Sequence, residues 1–220
     1  MNKNIAIDGP AGSGKSTIAK IVGEKLNLMY INTGAMYRAV TLKALKENIS
    51  HTCVDKLEKL IEEMDLYFED DQLFMDGENV SEKIILPEIS NNVSSYAAVP
   101  KVRRMLVEKM QDMAKKFEVI MDGRDIGTVV LKNSQFKFFL IATPEERANR
   151  RFNEYKNKGI EVDYNELLED IKRRDHLDST RETDPLIKAN DAIEIDSTKL
   201  SISEVVDEIM NYVNKAYENK

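Results

Sequence analysis

The stretch Gly9-Pro-Ala-Gly-Ser-Gly-Lys-Ser-Thr17 decides the fold of this chain. It has the pattern G-x-x-x-x-G-K-S, and it begins where the apolar run Ile5–Asp8 ends. Gly9, Gly12 and Gly14 allow the backbone to turn sharply with several N–H groups pointing inward, which is how such a loop surrounds phosphate groups. The sequence therefore predicts a strand, a phosphate-binding loop and a helix in that order, and the binding of a nucleoside triphosphate.

Two side chains of this loop have a predicted chemical role. Lys15 supplies a cation for the β and γ phosphates, and Ser16 offers a hydroxyl group to Mg²⁺. The helix that follows presents the positive end of its dipole to the same phosphates. We therefore expect nucleotide contacts from all nine residues of the loop: Gly9, Pro10, Ala11, Gly12, Ser13, Gly14, Lys15, Ser16 and Thr17.

Composition limits the function classes and the compartment. The chain has 220 residues, 42% of them hydrophobic, and a net charge of −7, which argues against a general nucleic-acid or anionic-membrane surface. Its single cysteine, Cys53, excludes an internal disulfide. The N-terminus has the features of neither a signal peptide nor a membrane span. We expect a cytoplasmic, monomeric protein with no nucleic-acid or membrane partner.

The apolar pattern predicts an α/β fold of the P-loop NTPase type, in three layers with a five-stranded parallel sheet between helices. The five predicted strands are Ile5 to Asp8, Met29 to Asn32, Glu118 to Asp122, Phe136 to Ala142 and Ala192 to Asp196. A helix from Lys15 to Leu26 connects the first two strands as a right-handed crossover.

A gap of about ninety residues separates the second strand from the third, and this is too long for an ordinary crossover connection. Alternating residues from Asp65 to Val80, with turns at Asp70-Asp71 and Asp76-Gly77, predict a small antiparallel hairpin or three-stranded piece. Helices are expected around it. We predict a kinase core at 1–63 and 101–220, with an inserted acceptor-binding subdomain at 64–100.

Arginines follow the fourth predicted strand. Arg147, Arg150 and Arg151 lie three and four positions apart on a helix that starts at Thr143-Pro144, so they share one face. Such a run is as often a solvated surface as a binding element. Beside a phosphate loop, a lid at about 146–162 that closes over the nucleotide is the favoured interpretation.

Other motifs narrow the phosphate chemistry. A guanine-reading switch would carry Asn-Lys-x-Asp after a late strand, and the segment Phe139–Pro144 has none. Large ATPase modules have an apolar run ending in Asp-Glu, whereas Val119–Asp122 continues into Gly-Arg-Asp. A kinase for a small acceptor fits better, with Asp122 holding Mg²⁺ through water. Transfer between two phosphorylated molecules needs cations around the phosphates, and the candidates are Arg38, Arg103, Arg124, Arg174 and Arg181.

Four segments together resemble the bacterial cytidylate kinase family over nearly the whole chain. They are the phosphate loop, Asn32-Thr-Gly-Ala-Met-Tyr-Arg38, Asp122-Gly-Arg-Asp-Ile-Gly-Thr128 and Arg173-Arg-Asp-His-Leu-Asp-Ser-Thr-Arg181. The resemblance implies Mg²⁺-dependent transfer of the ATP γ-phosphoryl group to CMP or dCMP, in pyrimidine nucleotide metabolism. A kinase for another nucleoside monophosphate or a small metabolite is the alternative.

The resemblance also implies a role for individual residues. The catalytic cations would be Lys15, Arg124, Arg174 and Arg181, and the Mg²⁺ ligands Ser16 and Asp122. The arginines of the lid would close over ATP. The acceptor nucleotide would contact Thr33, Arg38, Ser94, Arg103, Arg124, Asp125, Arg174 and Asp178. Among these, Ser94, Arg103 and Asp125 would read the cytosine edge, because a carboxylate that accepts from the exocyclic amine selects cytosine over uracil.

Overall fold

The computed structural model describes residues 3–157 and 159–218. Lys158, which belongs to the predicted lid, lies outside the described residues. None of the helices in the described ranges is both long enough and apolar enough to span a membrane. The chain divides into two compact units, which are Met1–Leu28 together with Glu118–Lys220, and Met29–Phe117.

The predicted helices and strands follow one another along the chain in the expected order. The strands are β1 Ile5–Asp8, β2 Met29–Asn32, β3 Leu66–Glu69, β4 Gln72–Met75, β5 Glu78–Asn79, β6 Val119–Gly123, β7 Phe136–Ile141 and β8 Ile193–Asp196. The α-helices are α1 Lys15–Leu26, α2 Thr33–Lys46, α3 Val54–Glu63, α4 Pro87–Ala97, α5 Pro100–Lys116, α6 Pro144–Asn157, α7 Tyr164–Thr180 and α8 Ile202–Glu218.

The strand order of the large sheet is β2-β6-β1-β7-β8, which confirms the predicted five-stranded sheet. In the first unit, β1 pairs in parallel with both β6 and β7, with Asp8 level with Gly123 and Phe139. Strands β1 and β6 are buried along their full length, as expected for parallel strands covered on both faces. The carboxyl ends of three neighbouring strands therefore lie side by side, at the edge where open α/β sheets bind ligands.

A π-helical turn at Ile126–Val130 was not predicted from the sequence. Its sequence Ile-Gly-Thr-Val-Val is rich in β-branched residues, which locally favour a strand. Hydrogen bonds from outside the segment decide its conformation, because the backbone N–H groups of Ile126 and Gly127 donate to the Asp8 carboxylate. Tertiary contacts of this kind cannot be read from local propensity.

The second unit contains α2 to α5 and a separate three-stranded antiparallel sheet in the order β3-β4-β5. Leu66 is level with Met75, and residues 70, 71, 76 and 77 have the positive φ angles of tight turns. The predicted small antiparallel piece is therefore confirmed. Its assignment to an acceptor-binding subdomain at 64–100 stays a prediction.

Candidate nucleotide-binding site

The phosphate loop between β1 and α1 depends on glycine at two positions. Gly9 has a φ of 147°, and a Cβ atom there would lie 2.0 Å from the carbonyl oxygen of Leu140. Gly14 has a φ of 89° and caps the N-terminus of α1. A side chain at either position would require a strained backbone or a displaced strand. The loop therefore follows the path expected for a phosphate cradle at a helix N-terminus.

Lys15 is buried inside this loop. Its side-chain Nζ donates to the carbonyl oxygen of Pro10 at 2.6 Å, and Ser13 Oγ lies 3.3 Å away. Burial, and then repulsion from the guanidinium of Arg124, hold the pKa of Lys15 well below its usual range. A phosphate group beside Nζ would favour the charged form again, because an opposite charge nearby raises the pKa of a lysine.

Ser16 and Asp122 meet although 106 positions separate them in the chain. The hydroxyl of Ser16 donates to Asp122 Oδ2 at 2.8 Å, which brings the two predicted metal ligands together. Both are oxygen donors, the type that Mg²⁺ prefers. The described residues contain no group of three or more His, Cys, Asp or Glu that could hold a metal. A hydroxyl and one carboxylate suit an ion that completes its shell with phosphate oxygens and water.

Four of the predicted site residues form an alternating network of charges. Arg124 Nε donates to Asp178 Oδ2 at 2.7 Å, and Arg181 lies 4.0 Å from the other oxygen of Asp178. Arg181 also lies 3.5 Å from Asp125 Oδ1. Burial opposes ionisation of Asp178, but the charges of Arg124, Arg174 and Arg181 outweigh it and keep its pKa below the ordinary value. Asp178 is thus influenced by three arginines, which are the two of the network and Arg174.

Arg147 is 2% exposed and ties three parts of the first unit together. Its guanidinium donates to the carbonyl oxygens of Ala142 and Ala11 and pairs with both oxygens of Asp175 on α7. In this arrangement Arg147 links the backbone of the phosphate loop, at Ala11, to helix α7. A contact between Arg147 and ATP stays a prediction.

The other two predicted lid arginines are partly exposed. Arg150 bonds to Glu146 and to the carbonyl oxygen of Ser197, which follows β8. The guanidinium of Arg151 lies over the ring of Tyr155, 5.7 Å from its centre. Both sit on α6, and their contact with ATP stays a prediction.

Asp8 is a buried carboxylate that the sequence analysis did not assign to the site. Its two oxygens accept from the backbone N–H groups of Ile126 at 2.8 Å and Gly127 at 2.7 Å. Burial raises the pKa of Asp8 to about 6, although the two N–H donors act in the opposite direction. The sequence does place Asp8 at the end of a predicted buried strand, directly before Gly9, and this position could have indicated a role in the site.

The second unit carries the remaining predicted acceptor residues. Arg103, on α5, is 1% exposed, donates to the carbonyl oxygen of Ala97 at 3.2 Å and lies over the ring of Tyr37. Thr33 is buried at the start of α2, and Ser94 is half-buried on α4. Arg38 lies one turn along α2 from Thr33. Their contacts with a nucleotide stay predictions.

The comparison with known proteins identifies the family. The family model described as cytidylate kinase matches residues 5–215 of this chain. The chain belongs to the cytidylate kinase family. The cytidylate kinase of Clostridium perfringens is 63% identical over 217 residues, which cover 98% of this chain and 100% of the relative. The cytidylate kinase of Clostridium acetobutylicum is 59% identical, with 98% and 99% covered.

Solved structures support the fold independently. An uncharacterized protein from Eubacterium ventriosum superposes with a TM-score of 0.54 at 15% identity, covering 98% of this chain and 99% of that one. A gluconokinase from Sinorhizobium meliloti has a TM-score of 0.51 at 15% identity, with 99% and 95% covered. At this identity the likeness concerns the fold of this cytidylate kinase family member alone.

Proposed function

We propose that this chain transfers the γ-phosphoryl group of ATP to CMP and dCMP, giving ADP and the corresponding diphosphate. Family membership over residues 5–215 carries the proposal. The site supports it, because one unit contains a phosphate loop for a donor and, beside it, the arginine and carboxylate network of Arg124 and Asp178. A hydrolytic switch has no need of a second cation cluster.

Catalysis in this proposal is positioning and charge neutralisation. The phosphate oxygen of the acceptor attacks the γ-phosphorus in line, so the protein supplies no nucleophile. Lys15 would stabilise the transferring and leaving phosphates, and Arg181 would neutralise the transferring group. The position of Lys15 inside the phosphate loop and the density of arginines around Asp178 support these roles.

Ser16 and Asp122 are the residues that would hold Mg²⁺. Their 2.8 Å contact supports this, since both oxygens already converge at the start of α1. When bound, the ion would neutralise charge on the donor phosphates and keep them in register. The hydroxyl of Ser16 would then turn from the carboxylate toward the metal.

Acceptor recognition would divide between phosphate and base. Thr33, Arg38 and Arg124 would bind the CMP phosphate, whereas Ser94, Arg103 and Asp125 would read cytosine. Asp125 is buried, which supports a role in base choice: the amine of cytosine can donate to its carboxylate and the carbonyl oxygen of uracil cannot, a difference of about 1 to 3 kcal/mol. Arg174 and Asp178 would contact the sugar or the phosphate.

Closure would exclude water during transfer. We infer a lid at about 146–162, which includes most of α6, and an acceptor-binding subdomain at 64–100. Arg150 and Arg151 are the arginines best able to reach ATP, since both are partly exposed. We also infer a monomer in the cytoplasm, with nucleotides rather than nucleic acid as its partners.

A steady-state assay across acceptors tests the proposal. With saturating ATP and Mg²⁺, kcat/KM should be highest for CMP and dCMP and lower for UMP, AMP and shikimate. Faster turnover of UMP, AMP or shikimate would overturn the assignment of the acceptor. ADP release that does not depend on any acceptor would indicate a hydrolytic switch instead.

A further inference from the structure

Asp8 connects the two halves of the proposed site. It is the last residue of β1 and directly precedes Gly9, so its backbone leads into the donor loop. Its side chain reaches the π-helical turn that follows β6, where both oxygens accept from the backbone N–H groups of Ile126 and Gly127, the residues directly after Arg124-Asp125. The backbone of Asp8 is therefore continuous with the donor loop, and its side chain is bonded to the turn that follows the acceptor segment.

The side chains of the Arg124-Asp125 segment contact Asp178 and Arg181, and its backbone is held at both ends. On its N-terminal side it continues from β6, whose Gly123 is level with Asp8. On its C-terminal side it enters the π-helical turn, in which the carbonyl oxygen of Asp125 accepts from Val129 at 2.9 Å. The first N–H groups of such a turn have no partner within it and need an acceptor from outside. The two carboxylate oxygens of Asp8 are the acceptors for the N–H groups of Ile126 and Gly127.

The fit around this contact is close. A Cβ atom at Gly127 would lie 3.3 Å from Asp8 Oδ2 and 3.3 Å from Cδ of Lys137. Only glycine therefore brings its N–H to 2.7 Å from the carboxylate without displacing a neighbour. The same carboxylate interacts electrostatically with Lys15 in the donor loop and with Asp125 in the acceptor segment.

We propose that Asp8 is a positioning residue, which fixes the Arg124-Asp125 segment relative to the phosphate loop and so aligns the acceptor phosphate with the ATP γ-phosphorus. This inference rests on the proposed function, because it assigns acceptor contacts to Arg124 and Asp125. A small displacement of these side chains would reduce the rate of transfer more than the binding of ATP, since alignment of the reacting groups carries a large part of the acceleration.

The test compares Asp8→Asn with wild type. Asparagine keeps the size but has one acceptor oxygen instead of two, so one of the two N–H groups loses its partner. We expect kcat with CMP to fall by about tenfold or more, while the Kd for ATP changes by less than about twofold. Amide exchange of Ile126 and Gly127, followed by NMR, should accelerate by about tenfold.

Asp163→Asn is the matched control, because Asp163 also accepts from two backbone N–H groups, at the start of α7 and outside the proposed machinery. It should keep wild-type kcat.

Gly127→Ala is the second variant, and it should show the same kinetic pattern if Asp8→Asn does not fold. Unchanged kcat, or equal losses in kcat and ATP affinity, in the folded variant would overturn the proposal.

Failure of the proposed function can be told apart from failure of this inference. If wild type does not phosphorylate CMP, the proposed function fails. The exchange of the Ile126 and Gly127 amides in Asp8→Asn still reports whether Asp8 holds the segment. If these amides exchange at the wild-type rate, the positioning role is wrong whichever acceptor is used.

Discussion

Arg124 Nε and Asp178 Oδ2 lie 2.7 Å apart, and this contact joins the end of β6 to helix α7. Both side chains are largely buried, with 18% and 14% of their surface exposed. The pair orients the guanidinium before any substrate binds, which lowers the cost of ordering it on binding. A loose surface pair would not do this, because solvent screening and side-chain entropy offset most of its energy.

Asp178→Asn should therefore weaken acceptor use. The neutral amide removes the carboxylate charge that orients Arg124, so we expect kcat/KM for CMP to fall by about tenfold to a hundredfold. Asp170→Asn on the same helix is the control, since Asp170 pairs with Arg173 at an exposed position. Equal activity of the two variants in a coupled ADP-release assay would contradict the role of Asp178.

Asp175→Asn should affect stability. It removes the partner of Arg147, whose side chain is only 3% exposed and would keep a buried charge without a carboxylate. Because Asp175 itself is a quarter exposed, we expect a loss on the order of 2 kcal/mol in the free energy of unfolding, measured by urea denaturation. Asp170→Asn is again the control, and a matching denaturation midpoint for both variants would show that the Arg147 pair contributes little.

Asp125→Ala should relax the choice of base. If the Asp125 carboxylate accepts from the cytosine amine, its removal should lower kcat/KM for CMP by about tenfold or more and leave that for UMP nearly unchanged. The ratio of the two specificity constants is the measurement. Equal losses for CMP and UMP would assign Asp125 to the network with Arg181 instead of to base recognition.

The pKa of about 6 for Asp8 has a consequence for stability. Because the value is raised above 3.8, the folded state binds a proton more tightly than the unfolded state, and this contribution is lost as pH rises from about 4 to 6. Relative to Asp8→Asn, wild type should lose on the order of 3 kcal/mol in the free energy of unfolding across this window. Parallel stability curves for the two proteins would contradict the raised pKa.

The strands and the phosphate loop were predictable because their signals are local. The run Ile5–Asp8, the glycines after it and the helical face from Lys15 to Leu26 depend on period and turn chemistry alone. The turn at Ile126–Val130 was not predictable in this way, because its N–H group at Ile126 bonds to the carboxylate of Asp8, 118 positions earlier in the chain. Long-range hydrogen bonds leave no periodic trace in a sequence.

The site shows the same division. The contact between Ser16 and Asp122 follows from motifs at the ends of adjacent strands, so the sequence could suggest it. The burial of Arg147 could not be predicted, because a run of arginines on one helix face does not reveal which of them packs against Asp175.

The most direct measurement of the central claim is the identity of the phosphorylated product. Wild-type protein incubated with ATP, Mg²⁺ and CMP should give CDP and ADP in equal amounts, resolved by ³¹P NMR or ion-exchange chromatography. Formation of ADP with inorganic phosphate and without CDP would contradict phosphoryl transfer to cytidylate.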